Sequence, residues 1–168
     1  HLGNSAALLQ YTEEVTSGGI NMVRGGTLIY GYPEVHKKWA EGIEPPLNFY
    51  SRVLDTNVLP KGSYVSYDRT YKCQSKTETA IIPCGYAQGL DRRMSNKGKV
   101  YLGDDFAPII GKICADKTIL DVTGNDVNPG DWVQIMGSTP NTQEQARMVG
   151  ASVIEFISSI KTKRFYIE

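Results

Sequence analysis

The chain predicts a mainly β fold, a small barrel or sandwich preceded by a shorter mixed segment. Three observations carry that expectation. Short runs of β-branched and aromatic residues recur from residue 47 onward. Turn chemistry separates them, as in Pro60-Lys61-Gly62-Ser63, Gly103-Asp104-Asp105 and Asn128-Pro129-Gly130. A proline-flanked polar stretch over residues 31–46 divides this region from what precedes it.

Residues 1–31 contain a helix-like run at 4–11, the pair Gly18-Gly19, and apolar stretches at 20–23 and 27–30 broken at Gly25-Gly26. This reads as loop, helix, strand and loop, with no partner strands to complete a sheet. Pro33, Pro45 and Pro46 flank His36-Lys37-Lys38, the composition of a linker, so the domains are expected at 1–45 and 46–168. Strands are expected over 47–54, 79–84, 99–102, 106–114, 118–122 and 131–136. Between 142 and 159, Ala146, Val149, Val153, Phe156 and Ile157 recur at helical spacing around Gly150, giving one or two short helices before a strand-like run at 163–167.

A chain of 168 residues with 40% hydrophobic content can bury one core plus a small appendage. Its 18 basic residues balance 18 acidic ones, so no net field favours nucleic acid or an anionic membrane. Cys73, Cys84 and Cys114 are widely spaced and form no CxxC or Cys/His cluster, which argues against zinc and a disulfide framework. A reducing, cytoplasmic setting is expected. No stretch approaches the roughly 20 apolar residues of a membrane helix, and His1-Leu2-Gly3-Asn4-Ser5 shows no signal pattern. Without an initiator Met, His1 reads as an internal position of a longer protein, in which a membrane tether stays open.

Taken singly, the candidate functional residues say little. Tyr67 and Tyr86 belong to a set of ten tyrosines, and an ordinary phenol, with a pKa near about 10, is a poor base at neutral pH. Arg24 after an apolar triplet is usually solvated, and Ser5 beside Asn4 is usually a helix cap.

Their order says more. The chain shows His-Leu-Gly-Asn-Ser-Ala-Ala at 1–7, Asn-Met-Val-Arg-Gly-Gly at 21–26, Tyr-Gly at 30–31, Val-Ser-Tyr-Asp-Arg-Thr-Tyr at 65–71 and Pro-Cys-Gly-Tyr-Ala-Gln-Gly at 83–89. Ser-Asn-Lys-Gly at 95–98, Ala-Pro-Ile-Ile-Gly at 107–111 and Ile-Cys-Ala-Asp at 113–116 follow. The series resembles the C-terminal half of alanine racemases over residues 1 to about 137 and is diffuse from 138 onward.

The resemblance implies a fold-type III enzyme that uses pyridoxal 5'-phosphate to interconvert L- and D-alanine for peptidoglycan precursors. In that family an N-terminal (β/α)₈ barrel holds the cofactor, and a β-barrel-like C-terminal domain from the partner of a homodimer closes the site. Residues 1–45 would be the last fragment of that barrel. Ser5 would hold the cofactor phosphate with the backbone N–H groups of Gly26 and Thr27. Arg24 would face the pyridine nitrogen, donating a hydrogen bond without giving up a proton, with His1 beside it. Tyr67 would be the base on the L-face, activated by cationic neighbours from the rest of the protein.

The opposite base, a lysine, has no counterpart in the family's lysine motif here, so the isolated chain is expected to be inactive. Tyr86 would line the entrance with Arg92 further out, and Gln88 stands where the family usually has aspartate. Ala115 replaces a methionine near the substrate carboxylate. Aligning the tail Ile157-Ser158-Ser159 with the family's Ile-Ser-Tyr puts Ser159 in place of a pocket tyrosine. Both changes open space, so serine is expected as a substrate beside alanine, as in serine/alanine racemases of glycopeptide resistance. The competing readings are a non-catalytic β-domain that acts only in dimerisation or interaction, and a decarboxylase of the same cofactor fold type.

Overall fold

In the computed structural model, which describes residues 1–33, 35 and 37–161, Asn4 starts the first helix. Its Oδ1 accepts the Ala7 N–H at 3.0 Å and opens α1 (Ser5–Gln10), satisfying a first-turn amide that has no helical partner. The chain forms two compact units, His1–Leu47 and Asn48–Glu168; the sequence predicts a division at 45/46. The expected strand-like run at 163–167 lies outside the described residues.

In the first unit, α1 is followed by α2 (Thr12–Thr16) and α3 (Gly26–Ile29). Leu2 N–H donates to Met22 O at 3.3 Å and Arg24 N–H to Gly3 O at 3.2 Å, which lays the start of the chain beside residues 22–24. The strand expected at 20–23 does not form. Two isolated backbone bonds do not build a ladder, and no second partner lies alongside among the described residues. The segment after Arg24, expected as a loop, turns into α3 instead.

The second unit is built from β1 (Phe49–Arg52), β2 (Asp55–Leu59), β3 (Tyr64–Val65), β4 (Tyr71–Lys72), β5 (Thr77–Ile82), β6 (Lys99–Leu102), β7 (Asp105–Pro108), β8 (Thr118–Asp121) and β9 (Trp132–Met136). They pair antiparallel as β1-β9-β6-β7, β2-β5-β8 and the hairpin β3-β4. The run expected as one strand over 47–54 is two strands that share a corner. Val53 N–H donates to Asp131 O at 2.9 Å, while Leu54 N–H donates to Ile81 O at 2.7 Å. Successive amides of an extended chain point to opposite sides, so one strand serves both sheets.

The opposite corner is made where β7 runs on. Ile109 bridges Leu120, and Ile110 N–H donates to Ile119 O at 3.0 Å. The run expected over 106–114 ends there because Gly111 turns the chain with φ +75°. Joined at both corners, the two larger sheets enclose one barrel-like core.

Inward positions alternate along the strands, as a one-sided sheet requires. Ala80, Ile82, Val100, Leu102, Ala107, Ile109, Leu120, Val133 and Ile135 are all buried. A smaller cluster of Val65, Cys73 and Ile110, with Leu59, Tyr71 and Ile119 against it, seats the β3-β4 hairpin. Two capped helices follow β9: α4 (Thr142–Met148), started by Asn141, and α5 (Val153–Ser158), started by Ser152. Gly150, at φ +71°, lies between them. Buried Gln145 ties α4 to the barrel, its Nε2 donating to Ile135 O at 2.9 Å and Lys99 O at 3.1 Å.

Candidate functional site

Ser5 is not a helix cap; Asn4 is. Ser5 is buried at the first position of α1, and its Oγ accepts the Leu28 N–H of α3 at 3.1 Å. The amides of Gly26 and Thr27 open α3, where no intrahelical acceptor exists. A Cβ on Gly26 would meet no atom within 4 Å. A hydroxyl, opening amides and open space are the groups that can hold a small anion. The Arg24 side chain is exposed, and backbone bonds lay Leu2 beside Met22 and Gly3 beside Arg24.

In the second unit, three loops meet on residues 111–115. Ser66 Oγ–H donates to Lys112 O at 2.6 Å, and Lys112 Nζ pairs with Asp68 Oδ2. Tyr86 N–H donates to Cys114 O at 3.0 Å and Ala87 N–H to Ala115 O at 2.8 Å. Gly111 N–H donates to Asn96 Oδ1 at 2.6 Å, and Ile113 N–H to Ser95 Oγ at 3.0 Å. Asn96 Nδ2 reaches back to Thr70 Oγ1 at 3.1 Å. The Arg92 guanidinium stands 5.9 Å from the centre of the Tyr86 ring.

Tyr67, Tyr86, Arg92 and Ala115, expected to act near one another, are thus carried by loops tied together, and all four are exposed. Tyr67 is 65% exposed, on a turn in which Ser66 (φ 62°), Asp68 (φ 59°) and Arg69 (φ 53°) all take left-handed backbone. Such conformations cost on the order of 1 kcal/mol or more each for non-glycine residues and persist only where surrounding contacts over-determine them.

Ser159 has a different setting. Its Oγ lies 2.7 Å from Gly89 O and from Phe156 O, so one hydroxyl proton serves two carbonyls and fastens the end of α5 to the turn after Tyr86. Gln88 is occupied too: its Oε1 accepts the Gly85 N–H at 2.9 Å, and its carbonyl accepts from Lys161 N–H at 3.0 Å.

Sequence reasoning missed Asp68, Lys112, Ser66 and Asn96. Asp and Asn tolerate left-handed backbone better than other side chains, and that was the available signal. The Lys112 ammonium, by hydrogen bond and then by charge, holds the Asp68 carboxyl below the usual carboxylate range, with a smaller contribution from Arg92. Among the described residues no group of three or more His, Cys, Asp or Glu could hold a metal ion, and no helix is long and apolar enough to cross a membrane.

A barrel-like β-unit whose loops present an exposed tyrosine is one class of domain, and its sequence places it in a family. Residues 47–166 match the family described as alanine racemase, C-terminal domain, and the chain belongs to that family. Alanine racemase 1 of Clostridium acetobutylicum is 34% identical over 178 residues, covering 100% of this chain and 45% of that protein. The alanine racemase of Clostridium difficile 630 in complex with cycloserine superposes with a TM-score of 0.86 at 28% identity, over 96% of this chain and 43% of that one. The alanine racemase of Bartonella henselae with covalently bound pyridoxal phosphate gives 0.78 at 28% identity, over 86% and 41%. The chain therefore spans under half the length of these relatives.

Proposed function

We propose that this chain supplies the β-domain and part of the cofactor cradle of a pyridoxal-phosphate-dependent alanine racemase that works as a homodimer, with Tyr67 as the base on the L-face. The observation that carries the reading is the Tyr67 turn: an exposed phenol flanked by residues on left-handed backbone, in a turn hydrogen-bonded to two other loops at Lys112 and Asn96. Such a turn suits a reacting group that must reach beyond its own domain yet keep its place.

The residues present fit the phosphate end of the cofactor. Ser5 Oγ accepts from Leu28 and keeps its own O–H to donate. The Gly26 and Thr27 amides open α3, and a Cβ on Gly26 would meet no atom within 4 Å. Arg24 offers the pyridine nitrogen a donor that stays charged and does not hand over its proton. Pyridoxal phosphate, when bound, makes the Cα–H of an amino acid acidic by drawing electron density from Cα. Tyr67 Oη then removes the proton from the L-face of Cα, or returns one there in the reverse direction. The base on the opposite face is a lysine from the remainder of the longer protein, so the isolated chain should show no turnover. Acceptance of serine beside alanine rests on Ala115, whose small exposed side chain leaves room; the Ser159 hydroxyl is already committed to two carbonyls.

The test is Tyr67→Phe in the full-length protein, followed by Cα deuterium exchange in D2O. Exchange into L-alanine should be lost while exchange into D-alanine persists. Racemisation at the parent rate by Tyr67→Phe would refute the assignment. Comparing kcat/KM for L-serine and L-alanine tests the substrate range, and sharp discrimination against serine would remove that part of the reading.

A further inference from the structure

We propose that Lys112 is a positioning residue for Tyr67, gripping both of its chain neighbours so that the strained turn keeps one conformation. The inference rests on the reading of Tyr67 as the L-face base. Ser66, on one side of Tyr67, donates its hydroxyl to the Lys112 carbonyl at 2.6 Å, and Asp68, on the other side, is ion-paired with the Lys112 ammonium. One residue from a segment distant in sequence thus fixes the backbone before and after the phenol.

The surroundings bring Lys112 into that place. Gly111 lies so close under the turn that a Cβ on it would sit 2.7 Å from Val65 O and 2.8 Å from Ser66 Cβ. Asn96 accepts from the Gly111 N–H and donates to Thr70, tying down the far end of the same turn. Left-handed backbone at Ser66, Asp68 and Arg69 relaxes if the contacts that impose it are cut. Lys112 and Asp68 side chains remain 31% and 64% exposed, and an ion pair so open to water adds little to fold stability. Its effect should be read in the placement of Tyr67. Asp68 is held ionised well into the acid range by Lys112, so the grip is intact at neutral pH.

The experiment uses the full-length protein in parent form and as Lys112→Met, Asp68→Asn, the double variant and Lys112→Arg. Met keeps the apolar stem, and Asn tolerates the left-handed backbone at 68. Each form is made a second time with 3-fluorotyrosine at position 67 for ¹⁹F NMR; kinetics use the unlabelled proteins. One sharp ¹⁹F line is expected for the parent, broadened or split in Lys112→Met and Asp68→Asn. Each single variant should lose about tenfold in kcat with little change in KM, since small misplacement of a reacting group lowers turnover steeply. The double variant should lose no more, and Lys112→Arg should recover both readouts. An unchanged ¹⁹F line and kcat in both single variants would overturn the proposal. A rise in KM alone would also overturn it, making Lys112 an entrance cation instead. If the parent enzyme does not racemise alanine, the functional reading fails separately, and the ¹⁹F line still decides positioning: broadened upholds it, unchanged overturns it.

Discussion

Gly85→Ala tests whether the loop cluster is built on close backbone contact. Gly85 has φ −140° and ψ −160°, extended values open to any residue, so space and not conformation reserves the position for glycine. A Cβ there would overlap the Cys114 carbonyl oxygen and lie 2.6 Å from Ala115 C and O. These are main-chain atoms, and no rotamer change relieves them. The two segments must separate, stretching the bonds from Tyr86 N–H to Cys114 O (3.0 Å) and from Ala87 N–H to Ala115 O (2.8 Å). Two hydrogen bonds at about 0.5–1.5 kcal/mol each, with about 1–3 kcal/mol for overpacking, give a loss of about 3 kcal/mol. In urea, with a slope of about 1–3 kcal/mol per M, the midpoint should fall by about 1–3 M at unchanged slope. Gly103→Ala is the control: φ is +61° but no atom lies within 4 Å, so only the backbone cost of about 1 kcal/mol is expected. A midpoint for Gly85→Ala equal to that of the parent, or a loss no larger than that of Gly103→Ala, would refute the contact argument.

Three further outcomes follow from single features. Gly26→Ala has open space and no positive φ, so it should leave stability unchanged or raise it by up to about 1 kcal/mol; in the full-length protein the same methyl should weaken pyridoxal phosphate binding, measured by cofactor titration. Gln145→Leu strips the donor from the buried Ile135 carbonyl and the part-buried Lys99 carbonyl; the expected cost is about 2–3 kcal/mol and a Tm lower by roughly 5–10 °C in thermal denaturation. Burial pushes the Cys84 thiol from 9.0 up to about 12. The unfolded chain therefore releases this proton first, and stability should fall as pH rises from 9.0 toward about 12. Urea midpoints at about pH 8 and 10 should differ less in Cys84→Ala, since the ionisable thiol is gone.

The sequence made the punctuated strand pattern of the β-unit legible because burial there follows a period of two, as at Val100/Leu102 and Thr118/Leu120. It left β2 invisible, since Asp55-Thr56-Asn57 is polar and the chain changes sheets at Val53-Leu54 through backbone amides that carry no side-chain signature. The helical run of α1 and the pair α4/α5 around Gly150 were readable, but the cap of α1 is Asn4 and not Ser5. At the candidate site, ordered motifs pointed to Tyr67, Tyr86, Arg92 and Ala115 through a family resemblance. Lys112 escaped because its partners Ser66 and Asp68 lie 46 and 44 residues away, a separation no local pattern encodes. Ser159 aligned with a pocket position, yet its hydroxyl is spent on Gly89 and Phe156.

Among the described residues, the pairing of Phe49 with Met136 makes the first and last strands of the β-unit neighbours. During synthesis, the apolar faces of β5, β6 and β8 leave the ribosome well before Trp132–Met136 arrives to cover them. Such distant pairing forms late, after the local hairpins. A message cut short within the β-unit before residue 137 would therefore yield an unclosed sheet prone to aggregation.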